Sequence, residues 1–289
     1  MTREKPLTIL MRLIHRLKFF AGRILKKHPL LFPLAWLALR KLGRSLPHDK
    51  SFFGFKYLAT EPGGLFLDIG ANNGLSALSF HQIQPNFKIF SIEINHYHRR
   101  YLDNIGRKIQ RFDYRIIGLS DEPGEATLYT PIYWGTAISL LSSLDIDWLK
   151  AEVNRTFLPK YIPKIRYEAE AVQVVLLDDL CNELDLVPSI IKIDAEGSDI
   201  QILRGMEQTV RHYRPHIMVE YSPLQRDALI TFCQAFQYEV FLFNDTLSYF
   251  EKFSDQKALD QYQRGDFAVN PFCIPQEKVG LLPRRSNHD

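Results

Sequence analysis

Three charged residues follow an apolar segment near the middle of the chain. In IIKIDAEG, two isoleucines precede Lys192, Asp194 and Glu196. A charged group is costly to bury unless a partner of opposite charge compensates it. Residues two apart in a strand share a face, so Lys192, Asp194 and, if the strand extends so far, Glu196 lie on one side. Because open α/β sheets bind ligands at the carboxyl ends of their strands, these residues predict a catalytic site.

The chemistry that this group offers is proton transfer. A carboxylate can remove the proton of an attacking hydroxyl group, and Asp194 is our first candidate for that base, ahead of Glu196. Lys192 would hold the carboxylate ionised or orient it. A buried Lys–Asp ion pair that merely closes the sheet is the alternative, but it leaves Glu196 unexplained. A divalent metal on Asp194, Glu196 and Glu220 is a second alternative, but no motif supports it and we predict no metal.

A second candidate site lies in DIGANNG, residues 68–74, between a predicted strand and a predicted helix. Gly70 and Gly74 allow a sharp turn and the close approach of a ligand, and the N–H groups at the helix start favour a negative or polar ligand group. Glu93 ends the next predicted strand, where a carboxylate can accept hydrogen bonds from both ribose hydroxyls. A plain connection between strand and helix is the alternative.

The ligand of this second site is predicted from Asp68. The NAD fingerprint needs three glycines to seat a pyrophosphate, and Asp68 occupies the first of those positions. Its carboxylate would repel a pyrophosphate but suits an ammonium or sulfonium group. S-adenosylmethionine carries both, together with a ribose for Glu93, and is the predicted cofactor.

The elements that would position these residues alternate between short apolar strands and helical stretches from residue 51 onward. This alternation predicts an α/β fold with a mostly parallel sheet covered by helices on both faces. Strands are predicted at 65–70, 88–93, 114–120, 172–177, 190–194 and 216–221. Helices are predicted at 73–84, 98–109, 177–184, 198–210 and 224–236.

Two further regions depart from the alternation. Residues 121–170 are interpreted as an insertion with an extra strand at 125–130, in which Tyr133, Trp134, Gly135 and Ser139 would form a lid over the acceptor. The Trp134 ring would stack on a sugar face, or else fill the core. Near the C-terminus, the turn NDT predicts a hairpin between strands 238–243 and 247–252, and a last apolar segment covers 267–275.

Residues 1–50 differ in charge from the rest of the chain. They contain twelve Lys and Arg residues against Glu4 and Asp49, whereas the remaining residues contain 24 basic and 31 acidic ones. Apolar residues from Leu10 to Ile24 recur at helical spacing opposite the basic ones, which predicts a basic amphipathic arm. The arm would lie on an anionic membrane surface or pack on the domain. No nucleic-acid motif accompanies it, so we expect no nucleic-acid partner.

The chain is therefore predicted to comprise an arm, residues 1–50, and one domain, residues 51–289. The apolar run at 30–39 is too short to span a bilayer, and no signal peptide is evident. Three separated cysteines favour a reducing compartment. We predict a cytoplasmic protein, with peripheral contact at the inner face of the membrane through residues 1–45 as a hypothesis.

Several motifs together resemble the FkbM family of S-adenosylmethionine-dependent methyltransferases over about residues 60–275. They are LDIGANNG, SIEIN, GLSDEPGEATLY, LLDDL, IKIDAEGSDIQILRGM and PHIMVEYS. Two positions depart from the family pattern. Asp199 stands where the family usually has Glu, and Ile94-Asn95 follows Glu93 where it usually has Glu-Pro.

The resemblance implies a class I methyltransferase sheet, with a reversed strand near the C-terminus supplied by the hairpin region. It places Glu93 at the ribose, and Asp194 and Glu196 at the methyl group and the acceptor. Contacts to the methionine portion are implied for Asp68, Gly70, Asn72 and Gly74, contacts to adenine for Ser120 and Asp121, and contacts to substrate for Trp134 and Glu220.

The implied reaction is O-methylation of a sugar, a glycolipid or a secondary metabolite. A non-catalytic methyltransferase-like module at a membrane and an NAD-dependent oxidoreductase are the rival functions. His96 and His98 are interpreted as solvated or helix-capping residues rather than metal ligands.

Overall fold

A computed structural model describes residues 47–58, 60–61, 63–245, 248–256, 258 and 270–283. Most of the predicted basic arm thus lies outside the described residues. The strands are β1 (Leu65–Ile69), β2 (Lys88–Glu93), β3 (Phe112–Ile116), β4 (Gly118–Leu119), β5 (Gly124–Tyr133), β6 (Thr136–Ala137), β7 (Ile165–Val175), β8 (Pro188–Ile193), β9 (His216–Val219), β10 (Tyr238–Asn244), β11 (Tyr249–Lys252) and β12 (Phe272–Pro275). The α-helices are α1 (Leu75–Ile83), α2 (Arg99–Gly106), α3 (Ile146–Thr156), α4 (Leu177–Glu183), α5 (Asp199–Arg204), α6 (Glu207–Tyr213) and α7 (Arg226–Ala235).

Among the described residues, eight strands form the larger sheet in the order β11-β10-β12-β9-β8-β1-β2-β3. Neighbours from β9 to β3 are parallel, whereas β12 is antiparallel to both β9 and β10. The predicted mostly parallel sheet with a reversed strand near the C-terminus is confirmed. The NDT hairpin adds the reversed edge strand β11, and the reversed strand inside the sheet comes from the last apolar segment.

Both faces of this sheet are covered, which explains why its central strands are almost continuously apolar. Successive residues of β1 point to opposite faces. Phe66 packs against the side that carries α1 and the 3-10 helix Lys50–Tyr57, and its ring stacks on Phe80 at 3.8 Å. Leu67 packs against the side that carries α4, α5, α6 and α7. The sheet is thereby held rigidly, with the carboxyl ends of β1, β2 and β8 at one edge.

The predicted insertion forms a second, smaller sheet in the order β4-β7-β5-β6. The strands β5 and β7 pair antiparallel over ten residues each. A separate apolar cluster, which includes Leu149, Val153 and Ile165, joins this sheet to α3. The insertion therefore has a core of its own beside the larger sheet.

Three predicted elements were wrong in extent. The strand at 114–120 is divided, because β3 belongs to the larger sheet and β4 to the smaller one. The strand at 172–177 is the end of β7 and pairs in the smaller sheet. The helix at 198–210 is divided into α5 and α6, because the carboxylate of Asp178 accepts hydrogen bonds from the N–H groups of Gln208 and Thr209 and so caps a new helix start.

Within the ranges that the structure describes, no helix is long and apolar enough to cross a membrane.

Candidate active site

A cleft opens at the carboxyl ends of β1, β2 and β8. The space between its walls, counted out into open solvent, is about 690 Å³. Its floor is formed by the residues that follow these strands, among them Gly70, Glu93 and Asp194. The segment 139–144 of the insertion forms the opposite wall. The cleft thus lies where the fold type favours ligand binding, between the larger sheet and the insertion.

The turn after β1 requires glycine at residue 70. Gly70 has a φ of +70°, and a Cβ there would lie 1.8 Å from the carbonyl oxygen of Asp194. The N–H groups of Gly70 and Ala71 both donate to the carbonyl oxygen of Ile92. Asn72 follows in a left-handed conformation, with a φ of +52°. The tight turn brings the ends of β1, β2 and β8 together at the floor of the cleft.

Glu93, at the end of β2, is fixed by two backbone donors. The N–H of Asn72 donates to Oε2 at 2.6 Å, and the N–H of Asn95 donates to Oε1 at 2.7 Å. Burial raises the pKa of Glu93, while His98 and these two N–H groups act in the opposite direction. A carboxylate has about four acceptor positions, so each oxygen can still accept a hydroxyl group. Glu93 is therefore oriented for a diol.

Asp68 lies beneath the cleft rather than among the described residues that line it. It is fully buried, and its Oδ2 accepts hydrogen bonds from Ser76 and Ser91. Its Oδ1 lies 3.6 Å from the ammonium of Lys192 and accepts no hydrogen bond from the described residues. Its direct contact with a cofactor remains a prediction, whereas its contact with Lys192 is observed.

Lys192 joins the two sequence motifs that predicted the site. Its ammonium donates to the carbonyl oxygens of Ile69 and Gly70, at 3.2 and 2.9 Å, and lies 3.3 Å from Oδ2 of Asp194. Burial lowers the pKa of Lys192, but the carboxylates of Asp194 and Asp68 outweigh this and leave it raised. Lys192 therefore stays charged and braces β1 against β8.

Four carboxyl groups gather at the ends of β8 and β9. Burial raises the pKa of Glu196 and Glu220 well above the usual range, and the neighbouring Asp194 adds to both effects. Burial, followed by Asp194, also raises the pKa of Asp199 to about 6. Lys192 is the cation that acts on Asp194, Glu196 and Asp199. Glu196, Glu220 and Asp199 therefore bind protons more readily than isolated carboxylates do.

Glu196 reaches the cleft in a different way from the one predicted. The strand β8 ends at Ile193, so Glu196 does not continue the alternation of Lys192 and Asp194. It lies in the following turn with a φ of +47°, and Gly197 beside it has a φ of +99°. This turn directs Glu196 into the lining of the cleft, next to Asp194.

Besides Asp68, three predicted cofactor contacts do not belong to the described lining of the cleft. Ser120 and Asp121 lie beside α5, where Arg204 is 3.6 Å from Asp121. Residues 117–119 line the cleft in their place. Gly74 begins α1 with a φ of +77°, and a Cβ there would lie 2.8 Å from Ile105, so this glycine permits close packing of α1 on α2.

The insertion contributes serines that the sequence did not single out. Ser142 bonds to the Asn95 amide and the Thr130 hydroxyl, each at 2.8 Å. The predicted Ser139 also lines the cleft. Trp134, by contrast, is 69% exposed at the tip of the β5–β6 hairpin, where it stacks on Tyr133. Nothing in the local sequence distinguishes Ser142 from a loop serine, because its partners come from other strands.

The prediction for His98 was wrong, because its side chain is buried rather than solvated. Its Nε2 lies 3.3 Å from the carbonyl oxygen of Ser139, so it ties the end of β2 to the insertion. Asn95, not a histidine, caps the helical turn by accepting from the N–H of Tyr97. His96 pairs with Glu170 at 3.1 Å.

The donors and acceptors of the cleft fit S-adenosylmethionine. The side-chain oxygen of Asn72 is shielded from solvent and accepts no hydrogen bond from any described residue, so it is free to bind an ammonium group. Glu93 has acceptor positions for a diol, and the acidic end suits a positive charge. No group of three or more His, Cys, Asp or Glu residues in the described ranges has an arrangement suited to a metal ion.

Comparison with protein families identifies a methyltransferase domain in this chain. A family model described as the methyltransferase FkbM domain matches residues 68–256. No curated protein matches the chain.

Comparison with solved structures gives distant likenesses. An FkbM methyltransferase from Methylobacillus flagellatus KT is 14% identical with a TM-score of 0.49, and the match covers 81% of this chain but 50% of that one. A precorrin-6y C5,15-methyltransferase from Geobacter metallireducens GS-15 is 10% identical with a TM-score of 0.41, covering 78% of this chain and 87% of that one. Fibrillarin from Aeropyrum pernix, in complex with S-adenosyl-L-methionine, is 10% identical with a TM-score of 0.40, covering 78% and 76%.

Proposed function

Because the chain belongs to the FkbM methyltransferase family, we propose that it transfers a methyl group from S-adenosylmethionine to a hydroxyl group of a small-molecule or glycan acceptor. The observation that supports this most strongly is the composition of the cleft. Glu93, oriented for a diol, lies at the end of β2, and the carboxyl cluster lies at the ends of β8 and β9. Glu93 suits the ribose of the cofactor, and the carboxyl cluster suits an acceptor that loses a proton as it is methylated.

The cofactor would be held by the floor of the cleft. Glu93 would accept hydrogen bonds from the ribose hydroxyls, and Asn72 would accept one from the ammonium group. When bound, S-adenosylmethionine supplies a methyl group on a positively charged sulfur, open to in-line attack by an acceptor oxygen.

Asp194 would act as the general base. Its carboxylate forms an ion pair with Lys192, and its side chain is 41% exposed toward the cleft. Burial raises the pKa of Glu196 and of Glu220 well above the usual range, and the neighbouring Asp194 adds to both effects. Asp194 combines the ion pair with an opening to the cleft, so it can accept the proton of the attacking hydroxyl group.

The proposed acceptor is a neutral, hydroxyl-bearing molecule such as a sugar, a glycolipid or a secondary metabolite. An acceptor that carried phosphate or carboxylate beside its reactive hydroxyl would be repelled by Asp194 and would gain nothing from the neighbouring carboxyl groups. Hydroxyl groups, by contrast, can donate to these oxygens. Glu220, at the end of β9, does not belong to the described lining of the cleft, and its contact with the substrate stays a prediction.

The test is methyl transfer from S-adenosylmethionine labelled with 13C in the methyl group, using extracts fractionated by polarity as the source of acceptor. The chemical shift of the transferred carbon distinguishes a methyl group on oxygen from one on nitrogen or sulfur. A methyl group on oxygen supports the proposal. A methyl group on nitrogen or sulfur, or cofactor binding with no transfer to any fraction, would overturn it, and the latter would favour the non-catalytic alternative.

A further inference from the structure

The turn that carries Glu196 is held from outside the larger sheet. The hydroxyl of Ser143, in the insertion, donates to the carbonyl oxygen of Glu196 at 2.7 Å. The side-chain amide of Gln225, just before α7, donates to the carbonyl oxygen of Gly197 at 2.7 Å. Two successive carbonyl groups are thus bound by side chains from two different parts of the chain.

The same turn is closely packed against the insertion. A Cβ at Gly197 would lie 3.1 Å from the ring of Trp148, which belongs to α3. Ser143 itself is held by backbone hydrogen bonds with Tyr129 of β5 in both directions. The insertion therefore presents a hydroxyl group and a ring to the turn from a sheet with its own core.

The conformation that these contacts hold is an unfavourable one. A non-glycine residue with positive φ costs about 1–2 kcal/mol, and Glu196 has a φ of +47°. Such a conformation persists only where the surroundings over-determine it. Around the Glu196–Gly197 turn, the surroundings include the two side-chain hydrogen bonds and the Trp148 ring, beside the backbone hydrogen bond from Ser198 to Ala195.

We propose that Ser143 and Gln225 are positioning residues, which hold the Glu196–Gly197 turn so that the Glu196 carboxyl group stays beside Asp194 in the cleft. By this inference the insertion is a working part of the acceptor site, and not merely its wall. The inference rests on the proposed function, because that function makes the cleft an acceptor site. The contacts that hold the turn do not require a bound cofactor.

The groups that act on the Glu196 carboxyl group come from several elements. Asp194 precedes it on the chain, Asp199 begins α5, Glu152 lies on α3 and Lys192 lies on β8. Burial and these three carboxylates raise the pKa of Glu196, and Lys192 opposes them. Glu220, which follows β9, also faces this group, because Glu196 raises the pKa of Glu220. If the turn is released, Glu196 can swing into solvent and leave these neighbours. Its titration therefore reports whether the turn is held.

The experiment is a pH titration of the Glu196 carboxyl carbon by NMR in the full chain with 13C-labelled glutamate, assigned with Glu196→Gln. We expect Ser143→Ala and Gln225→Met each to lower the titration midpoint of Glu196 by about one pH unit or more. Circular dichroism should show that the fold is retained. Affinity for S-adenosylmethionine should stay unchanged in Gln225→Met, because Gln225 is not among the described residues that line the cleft.

One control and one independent variant make the result decisive. Thr231→Val removes a similar hydrogen bond from a hydroxyl to a carbonyl oxygen, on the exposed side of α7, and should leave the Glu196 midpoint unchanged. Ser143 also accepts from the N–H of Asp145, so if Ser143→Ala fails to fold, Gln225→Met alone decides.

An unchanged midpoint in a folded Gln225→Met variant would overturn the inference. Failure of the wild-type protein to bind S-adenosylmethionine would instead overturn the proposed function, because the titration requires no cofactor.

Discussion

At the scale of single residues, the carboxyl groups around Lys192 differ in what surrounds them. Asp194 is ion-paired and partly exposed, whereas Asp199 is buried and accepts a hydrogen bond from the N–H of Ala195. Glu196 and Glu220 are shielded enough for their pKa values to rise well above the usual range. These carboxyl groups therefore have different surroundings, and substituting them one at a time should affect methyl transfer and stability differently.

Asp194→Asn should retain cofactor affinity and lose methyl transfer by at least about 100-fold, because the amide cannot accept a proton. The measurement is transfer of labelled methyl to an active extract fraction, with calorimetry for cofactor binding. Asp179→Asn, on the exposed side of α4, is the control and should keep full activity. Full activity in Asp194→Asn would remove Asp194 as the base.

Asp199 should make the free energy of unfolding depend on pH in the mildly acidic range. Its pKa is about 6 in the folded protein, whereas the ordinary value for an aspartate, which we take for the unfolded chain, is 3.8. The folded state therefore binds the proton more tightly than the unfolded state does. The contribution of protonated Asp199 to the free energy of unfolding is about 3 kcal/mol. This contribution is complete below pH 4 and is lost as the pH rises through 6. Asp199→Asn keeps the acceptor for Ala195 but does not titrate.

Chemical denaturation of both proteins at several pH values checks this expectation. Relative to Asp199→Asn, the wild-type free energy of unfolding should fall between pH 4 and pH 7. Curves that stay parallel would contradict it.

At the scale of elements, the turn between β1 and α1 depends on close approach to β8. Gly70→Ala adds both a strained φ and a clash with the carbonyl oxygen of Asp194, whereas Gly135→Ala adds a strained φ of +73° in open space. We expect Gly135→Ala to cost about 1–2 kcal/mol of unfolding free energy and Gly70→Ala to cost more, with loss of cofactor binding. Denaturant unfolding and calorimetry measure these effects. Equal effects of the two substitutions would show that the close approach is unimportant.

The sequence predicted the elements that follow local patterns. The apolar runs of β1, β2 and β8 and the turn in DIGANNG, residues 68–74, identified the sheet and its carboxyl edge. Lys192 and Asp194 identified one end of the cleft. The hairpin at NDT was also confirmed by the pairing of β10 with β11.

What the sequence did not predict depends on contacts between distant segments. The division of strand 114–120 follows from the pairing of Gly118 with Val174. The roles of Ser142 and Ser143 depend on partners more than 40 residues away. The break between α5 and α6 depends on Asp178, and the left-handed turn at Glu196 depends on Trp148 and Gln225. Periodicity within one segment carries no signal for any of these.

At the scale of the whole molecule, the basic residues 1–45 lie outside the described residues, and their proposed partner is an anionic membrane surface. Deleting them should abolish association with vesicles that contain anionic lipid while leaving cofactor affinity unchanged, since the cleft is built from residues after 68. Co-sedimentation with anionic and with neutral vesicles measures this, and the full chain should bind the anionic ones more strongly at low salt. Equal binding before and after deletion would refute the membrane contact.

The central claim, that the cleft binds S-adenosylmethionine, is tested most directly by calorimetry with S-adenosylmethionine and, separately, with NAD. We predict heat of binding with the methyl donor and none with NAD. Glu93→Gln should weaken binding by about 10- to 100-fold, since a hydrogen bond to a charged group contributes about 1.5–3 kcal/mol, whereas Glu183→Gln, on the exposed end of α4, should bind as the wild type does. Binding of NAD with no heat from S-adenosylmethionine would contradict the claim.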